Sequence, residues 1–324
     1  MTTIDDIEAA GRRLAGVAIQ TPLIENDELN AIAGGRVLIK PECLQRTGSF
    51  KIRGAYNLIS QLDDVQRAKG VVAFSSGNHA QGIAAAGRML GVDTTIVMPA
   101  DAPAMKLNNT RQLGGNVVTY DRYAESREAI AERIATEAGS AIAPSFNHPH
   151  IIAGQGTTGL EIRDDCLERG VVPDQLLVCC GGGGLTAGCA LAVRSAFPNL
   201  AVHPVEPVNF DDTTRSLISG EREHNDPSAR SICDAILTNS PGDLTFDILQ
   251  RVAASGLVVS DDAVRQAMRF AFQQLKLVVE PGGCVALAAV LSGAVETKDR
   301  VTVLTLSGGN VDPDLFAEIQ AERG

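Results

Sequence analysis

Short apolar, β-branched runs recur along the chain, each followed by small or turn residues and then by a longer stretch of helical periodicity. "VVAF" (71–74) runs into Ser-Ser-Gly-Asn and the alanine-rich "AQGIAAAGRML"; "TTIVMP" precedes "DAPAMKLNNTRQL"; "NVVTY" precedes "AESREAIAERIATEA". Three strand-to-helix units in succession predict a parallel sheet covered by helices. The second half repeats the pattern with "QLLVCC", "GGGGLTAGCALAVRSAF" and "AVHPVEP", then "LVVSDDAVRQAMRFAFQQLKL" with Ser260 or Asp261 as N-cap, and a last strand in "VTVLTLSGGN". Both halves therefore read as α/β, giving two open doubly wound sheets with a cleft between them. Ligands gather beyond the carboxyl ends of strands in such sheets, which is where the Gly-rich and Ser-rich turns fall. No linker or fixed-period repeat divides the chain. The stretch 208–245 has the least periodicity and the most turn residues, so it reads as an irregular functional segment.

Length and charge narrow the function. At roughly 150 residues per domain, 324 residues favour two domains over one. A formal charge of −11 without any Lys/Arg block argues against a nucleic-acid partner. No apolar run reaches about 18 residues, and acidic residues near the N-terminus oppose a leader, so the reading is a cytoplasmic protein with no membrane contact. Seven cysteines without metal-like spacing read as small buried hydrophobes in a reducing compartment, which makes the Asn108-Asn109-Thr110 sequon incidental.

Four segments carry candidate chemistry. Gly181, Gly182, Gly183 and Gly184 stand between a strand and a helix, where bare backbone and the helix dipole attract a phosphate. No Gly-Lys-Ser/Thr closes the run, which excludes a Walker loop. Gly182, Gly184 and Ala187 satisfy G-x-G-x-x-A, however, with Glu206 ending the next strand, so an NAD-dependent dehydrogenase is a rival reading. "SSGNH" (75–79) also opens a helix after a strand and suits a carboxylate or phenolate oxygen. In "LSGGN" (306–310), Ser307 can either meet a ring nitrogen or cap a helix. "GSFKIRG" (48–54) sets Lys51 between Phe50 and Ile52; such a lysine either snorkels from a surface or is held inside for chemistry.

Together "GSFKIRGAYN", "SSGNHAQG", "IAGQGT", "GGGGL", "EPGG" and "LSGGNVD" resemble, in order and approximate spacing, the fold-type II pyridoxal-phosphate (PLP) enzymes. The likeness is to the serine/threonine dehydratase and serine racemase branch, and it runs from about Thr21 to Asp312. The chain is also similar to the bacterial subgroup that includes hydroxyectoine-utilisation and β-hydroxyaspartate dehydratases.

The resemblance implies a tryptophan-synthase-β-like homodimer whose cleft holds PLP. A large domain (1–50 plus 149–324) would carry the cofactor, and a small domain (51–148) would close on the substrate. By resemblance Lys51 is the catalytic Schiff-base lysine, a role helped by desolvation, which lowers a lysine's pKa. Phe50 lies near the ring, Asn78 meets its phenolate oxygen, the four glycines hold the phosphate, and Ser307 meets the ring nitrogen. A neutral serine there makes a weaker electron sink, which suits prompt loss of a β leaving group.

The implied reaction takes the hydroxyl from a small 3-hydroxy amino acid (3-hydroxyaspartate, threonine or serine), giving an enamine and then a 2-oxo acid and ammonia. Ser75, Ser76, Asn78 and His79 would surround the substrate carboxylate. Ser76 can serve as a second base, so an amino-acid racemase is an alternative. "EPVNFDD" resembles the branch's divalent-cation site, with Glu206, the Phe210 carbonyl and Asp212 as oxygen ligands for Mg²⁺, Mn²⁺ or Ca²⁺. Arg127 either pairs with Glu125 or Glu128 on its helix or reaches the cleft to take a second substrate carboxylate.

Three departures from the family pattern stand out. Asp234-Ala235 replaces an aspartate–glycine pair near the substrate contact Thr238, and "APSFNHPH" places Phe146 and a surface histidine, His148, near the domain junction. The chain also ends soon after "SGGNVD", so a regulatory domain is not expected.

Overall fold

The structure is a computed structural model; it describes residues 2–102 and 104–322, apart from the Met105 side chain. Ten strands run through the described residues: β1 Ile24–Glu25, β2 Arg36–Pro41, β3 Val71–Phe74, β4 Thr94–Pro99, β5 Asn116–Tyr120, β6 Ala141–Ile142, β7 Gln175–Cys179, β8 Ala201–Pro207, β9 Leu257–Val259 and β10 Val301–Leu306. They form a six-stranded sheet in the order β1-β2-β10-β7-β8-β9 and a four-stranded sheet in the order β5-β4-β3-β6. Only β1 runs antiparallel to its neighbour, on an edge. The chain leaves the first sheet after β2, builds the second, and returns at β7. This is the pair of doubly wound α/β sheets expected from the pattern.

Both faces of the large sheet are covered, which is why its strands read as near-continuous apolar runs. On one face Val37, Ile39, Leu177 and Leu304 meet Leu287 of the helix Pro281–Leu291. On the other, Leu38, Leu176, Val178 and Val303 meet Ile162 and Cys189 from the helices Pro149–Glu168 and Gly184–Arg194. The period of two puts Val37 and Leu38 on opposite faces. The small sheet is enclosed in the same way, with Ala73 and Ile96 meeting Ile52 and Ile83 on one side and Val72 and Val97 meeting Ala131 and Ala135 on the other.

Local chemistry sets several boundaries as read. Ser260, rather than Asp261, caps the helix Asp261–Gln273 by accepting from the Ala263 N–H. All seven cysteines are free and six are buried. His148 caps the helix Pro149–Glu168 from outside the cleft.

Other features differ from the reading. The stretch 208–245 is not irregular throughout, because it contains the helix Asp212–Ser219 and a 3₁₀ turn at Asp234–Ile236. The helix Pro281–Leu291 is apolar on every side and so carries no amphipathic period. Among the described residues no helix is long and apolar enough to cross a membrane.

Candidate active site

The carboxyl ends of β3, β7 and β10 deliver Ser75, Gly181 and Ser307 to one cavity of about 760 Å³ between the sheets. Phe50, Lys51, Ser75, Ser76, Asn78, His79, the four glycines, Thr238 and Arg127 all line it.

Lys51 is the first residue of the helix Lys51–Ile59. Its Nζ donates to the Ser145 carbonyl at 3.1 Å and lies 5.2 Å from the centre of the Phe50 ring. Burial lowers its pKa to about 8, and the nearby Glu280 carboxylate opposes the shift. That answers the question the short motif raised: the amine is held inside. Phe50 walls it, whereas Ile52 turns away into the small-sheet core.

The preceding loop is tied to the end of β10. Phe50 N–H donates to the Ser307 carbonyl at 3.3 Å, and Ser49 bridges to Gly308. The Ser307 hydroxyl therefore shares a frame with the lysine.

The glycine turn enters the helix Gly184–Arg194 with no side chain as cap. Gly183 is left-handed at φ 87°, and a Cβ on Gly182 or Gly184 would press on Phe146. The Thr245 hydroxyl donates to the Gly182 carbonyl at 2.6 Å and fixes the turn. An uncapped helix N-terminus built of bare backbone is a ready phosphate seat.

Asn78 begins the helix Asn78–Leu90. Its Nδ2 donates to Glu280 Oε1 at 2.5 Å, and its Oδ1 accepts from Asn310 Nδ2 at 2.7 Å, which leaves one amide hydrogen of Asn78 for a ligand. Glu280 lay unassigned within "EPGG". It is fully enclosed; burial and then Asp234 raise its pKa to about 7. Its one sequence signal is a carboxylate inside the apolar run "LVVEPGGCVALAAV".

His79 Nε2 is bonded to the Ala143 carbonyl at 2.9 Å, while its buried Nδ1 has no partner. Burial, reinforced by Lys51, lowers its pKa to about 3, so the ring is neutral. The Ser75 hydroxyl accepts from Gly77 N–H at 3.2 Å. The Thr238 hydroxyl is buried without a partner at the cleft wall.

Charge gathers at the mouth. Arg127 pairs with Glu128 at 2.8 Å, as one of its two readings had it, and lies 5.6 Å from the Phe74 ring, where it also borders the cleft. Lys106, missed in the sequence, spans the cleft to Asp234 at 2.5 Å.

Glu206 and Asp212 sit behind the glycine turn. Glu206 accepts from Thr213 N–H at 2.9 Å and from Thr214 N–H and hydroxyl at 2.7 Å each. Asp212 Oδ1 accepts from Asn225, while Oδ2 is buried without a partner. Burial, then the Asp212 charge, raises the Glu206 pKa to about 8, and burial raises that of Asp212 to about 6. Two enclosed acids with one orphaned oxygen suit a hard cation, although no group of three or more His, Cys, Asp or Glu side chains forms a metal cluster among the described residues. Glu206 is turned into this bonded pocket and does not border the cleft, so it is not placed to hold a ribose there; the dinucleotide reading fails on that geometry.

Comparison with known proteins agrees with this geometry. A family model described as "Pyridoxal-phosphate dependent enzyme" matches residues 14–308. The L-threo-3-hydroxyaspartate ammonia-lyase of a Pseudomonas species is 44% identical over 319 residues, 98% of each chain. Serine racemase of Schizosaccharomyces pombe is 39% identical over 99% of this chain and 98% of its own. The solved structure of maize serine racemase superposes with a TM-score of 0.92 at 35% identity, covering 98% of this chain and 96% of that one. On the match of nearly its whole length, this chain belongs to the family of pyridoxal-phosphate dependent enzymes.

Proposed function

We propose that the protein is a PLP-dependent ammonia-lyase that removes the β-hydroxyl of a small 3-hydroxy amino acid, with 3-hydroxyaspartate ahead of threonine and serine. The observation that carries the reading is a desolvated lysine opening into the same cavity as an uncapped glycine turn. The 44% identical relative with the 3-hydroxyaspartate name, and the cations at the mouth, favour a substrate with a second carboxylate.

The residues present fit PLP. Lys51 would hold it covalently, Gly181 to Gly184 would take its phosphate, Phe50 would flank the ring, Asn78 would offer its remaining N–H to the phenolate oxygen, and Ser307 would face the ring nitrogen. Bound there, PLP supplies an electron sink next to the substrate Cα. The chain does the rest. Ser75, Ser76, His79 and the backbone start of the helix at Asn78 orient the substrate carboxylate. Lys51 Nζ, with its pKa brought near neutrality, takes the Cα proton. The proton taken from Cα balances the β-hydroxyl, which leaves as water.

Ser76 as a second base gives the alternative, an amino-acid racemase, which the serine racemase relative supports. Glu206, the Phe210 carbonyl and Asp212 would hold Mg²⁺, Mn²⁺ or Ca²⁺. We further infer a cytoplasmic location, which fractionation of cells tests, and a homodimer, which light scattering on the purified protein tests.

The deciding experiment is a panel of L-threonine, L- and D-serine and the 3-hydroxyaspartate stereoisomers, with and without Mg²⁺, read as 2-oxo acid released and as inverted amino acid. Release from a 3-hydroxyaspartate isomer is expected to be fastest. A colourless protein whose Lys51→Ala variant kept full activity would sink the reading.

A further inference from the structure

Arg53 stands two residues after Lys51, about 200° round the same helix, and is fully buried away from the cleft. Its guanidinium grips two carboxylates at once. Nε and Nη2 donate to Glu42 at 2.7 and 2.8 Å, and Nη1 and Nη2 donate to Glu161 at 2.6 and 2.9 Å. Nη1 also donates to the Thr157 hydroxyl at 3.2 Å. Lys40, equally buried on β2, joins the cluster by pairing with Glu161 at 2.7 Å.

The partners belong to the frame that carries the rest of the site. Glu42 follows β2, the neighbour of β10, whose end holds Ser307. Glu161 lies on the helix Pro149–Glu168, which packs against the helix that opens at the glycine turn.

Ahead of the Lys51 helix the chain is held by the Phe50–Ser307 backbone bond, the Ser49–Gly308 bridge and Asn310 on the Thr47 carbonyl, so the helix itself has to be anchored from its own side chains. Its N-cap, Phe50, makes no side-chain capping bond, and the loop before it is left-handed at Thr47 and Gly48. On its other side the helix meets the helix Asn78–Leu90, where a Cβ at Gly82 would come within 3.1 Å of the Lys51 backbone. The lysine thus lies between two halves of the molecule, and its helix is fastened to one of them by Arg53, with the Gly54 N–H on Gln155 and Asn57 on the His150 carbonyl further along.

We propose that Arg53 is a positioning residue for Lys51: its double fork pins the first turn of the helix to the frame of the glycine turn and Ser307, and so sets where the Lys51 amine stands relative to both. A purely stabilising ion cluster would not need to sit on the lysine's own helical turn, nor to bridge both segments that frame the cofactor site.

The proposal rests on Lys51 being the point of cofactor attachment, which borohydride reduction of the wild-type protein tests separately. The experiment compares wild-type holoenzyme with Arg53→Lys, which keeps the charge and loses the fork, and with Glu161→Gln, which keeps the Glu42 half of the grip. The readouts are kcat per bound cofactor, KM, melting temperature and the pH midpoint of the absorbance band of lysine-bound cofactor. Arg53→Lys is expected to lower kcat at least tenfold with KM within threefold and to shift the absorbance midpoint; Glu161→Gln should move both in the same direction by less. If Arg53→Lys does not fold, Glu161→Gln alone decides. A fall in melting temperature with kcat per bound cofactor within twofold of wild type and an unmoved midpoint overturns the proposal.

Discussion

Asn310 donates from Nδ2 to the side-chain oxygen of Asn78 at 2.7 Å, and the same nitrogen donates to the Thr47 carbonyl at 2.8 Å. One amide thus fixes which way Asn78 points and holds the left-handed turn ahead of Lys51. Because Asn78 Oδ1 is occupied, its NH₂ must face Glu280. Asn310→Ala removes the donor of two part-buried bonds and leaves both acceptors, so it should lower stability by about 1–2 kcal/mol and kcat about tenfold. Asn310→Asp should be worse in kcat, because an acceptor then faces two acceptors. Steady-state rates and thermal melts of the two variants check this; an Asp variant more active than the Ala variant would count against it.

Gly182→Ala places a methyl group against the Phe146 ring. Overpacking at such a site costs about 1–3 kcal/mol, and the displaced turn should weaken cofactor retention. Dialysis followed by absorbance reads the loss. Gly182→Ala combined with Phe146→Ala should recover part of it, since the collision is removed.

The mouth of the cleft should sort substrates by charge. Lys106→Met and Arg127→Met are expected to reduce kcat/KM for 3-hydroxyaspartate by tenfold or more while leaving threonine within threefold, since a charged hydrogen bond contributes about 1.5–3 kcal/mol. Equal losses on both substrates would remove these residues from the recognition of a second carboxylate. Asp234→Asn, which frees Lys106, should raise apparent affinity for the dianion.

The pair behind the glycine turn makes stability depend on pH and on a cation. Burial and the Asp212 charge raise the Glu206 pKa from 4.5 to about 8. The folded protein therefore holds a proton that the unfolded chain has released, so this group's contribution is present below about pH 4.5 and is lost as pH rises towards 8. Thermal melts of wild type and Glu206→Gln from pH 5 to 9 should diverge in slope over that window. Mg²⁺ should stabilise wild type more at pH 8 than at pH 6, because the ligands must ionise to bind. A Mg²⁺ effect independent of pH would argue against this site.

The two readings of "GSFKIRG" show where sequence stops. The glycine run, Asn78 and Ser307 were legible as strand ends and helix starts, where pattern and turn chemistry announce an exposed backbone, whereas the roles given to them and to Lys51 came from the resemblance of the motifs taken together. Glu280, Gln155 and Arg53 were not assigned, because their meaning depends on partners distant in sequence. Glu280 meets Asn78 from 202 residues away, Gln155 accepts from Gly54 across 101, and Arg53 meets Glu161 across 108. Arg127 was legible only as a choice between a helix pair and a substrate contact, and folding gives it the Glu128 pair at a place on the cleft lining.

What the chain determined by itself is the alternation of strands and helices and the residues at their junctions, since periodicity and capping act within a few residues. What only the tertiary structure decided is the state of those residues: which amine is dry, which carboxylates are driven to hold protons, and which arginine grips two acids. Those depend on desolvation and on charges brought within bonding distance, and neither exists until the two sheets have folded around the cleft.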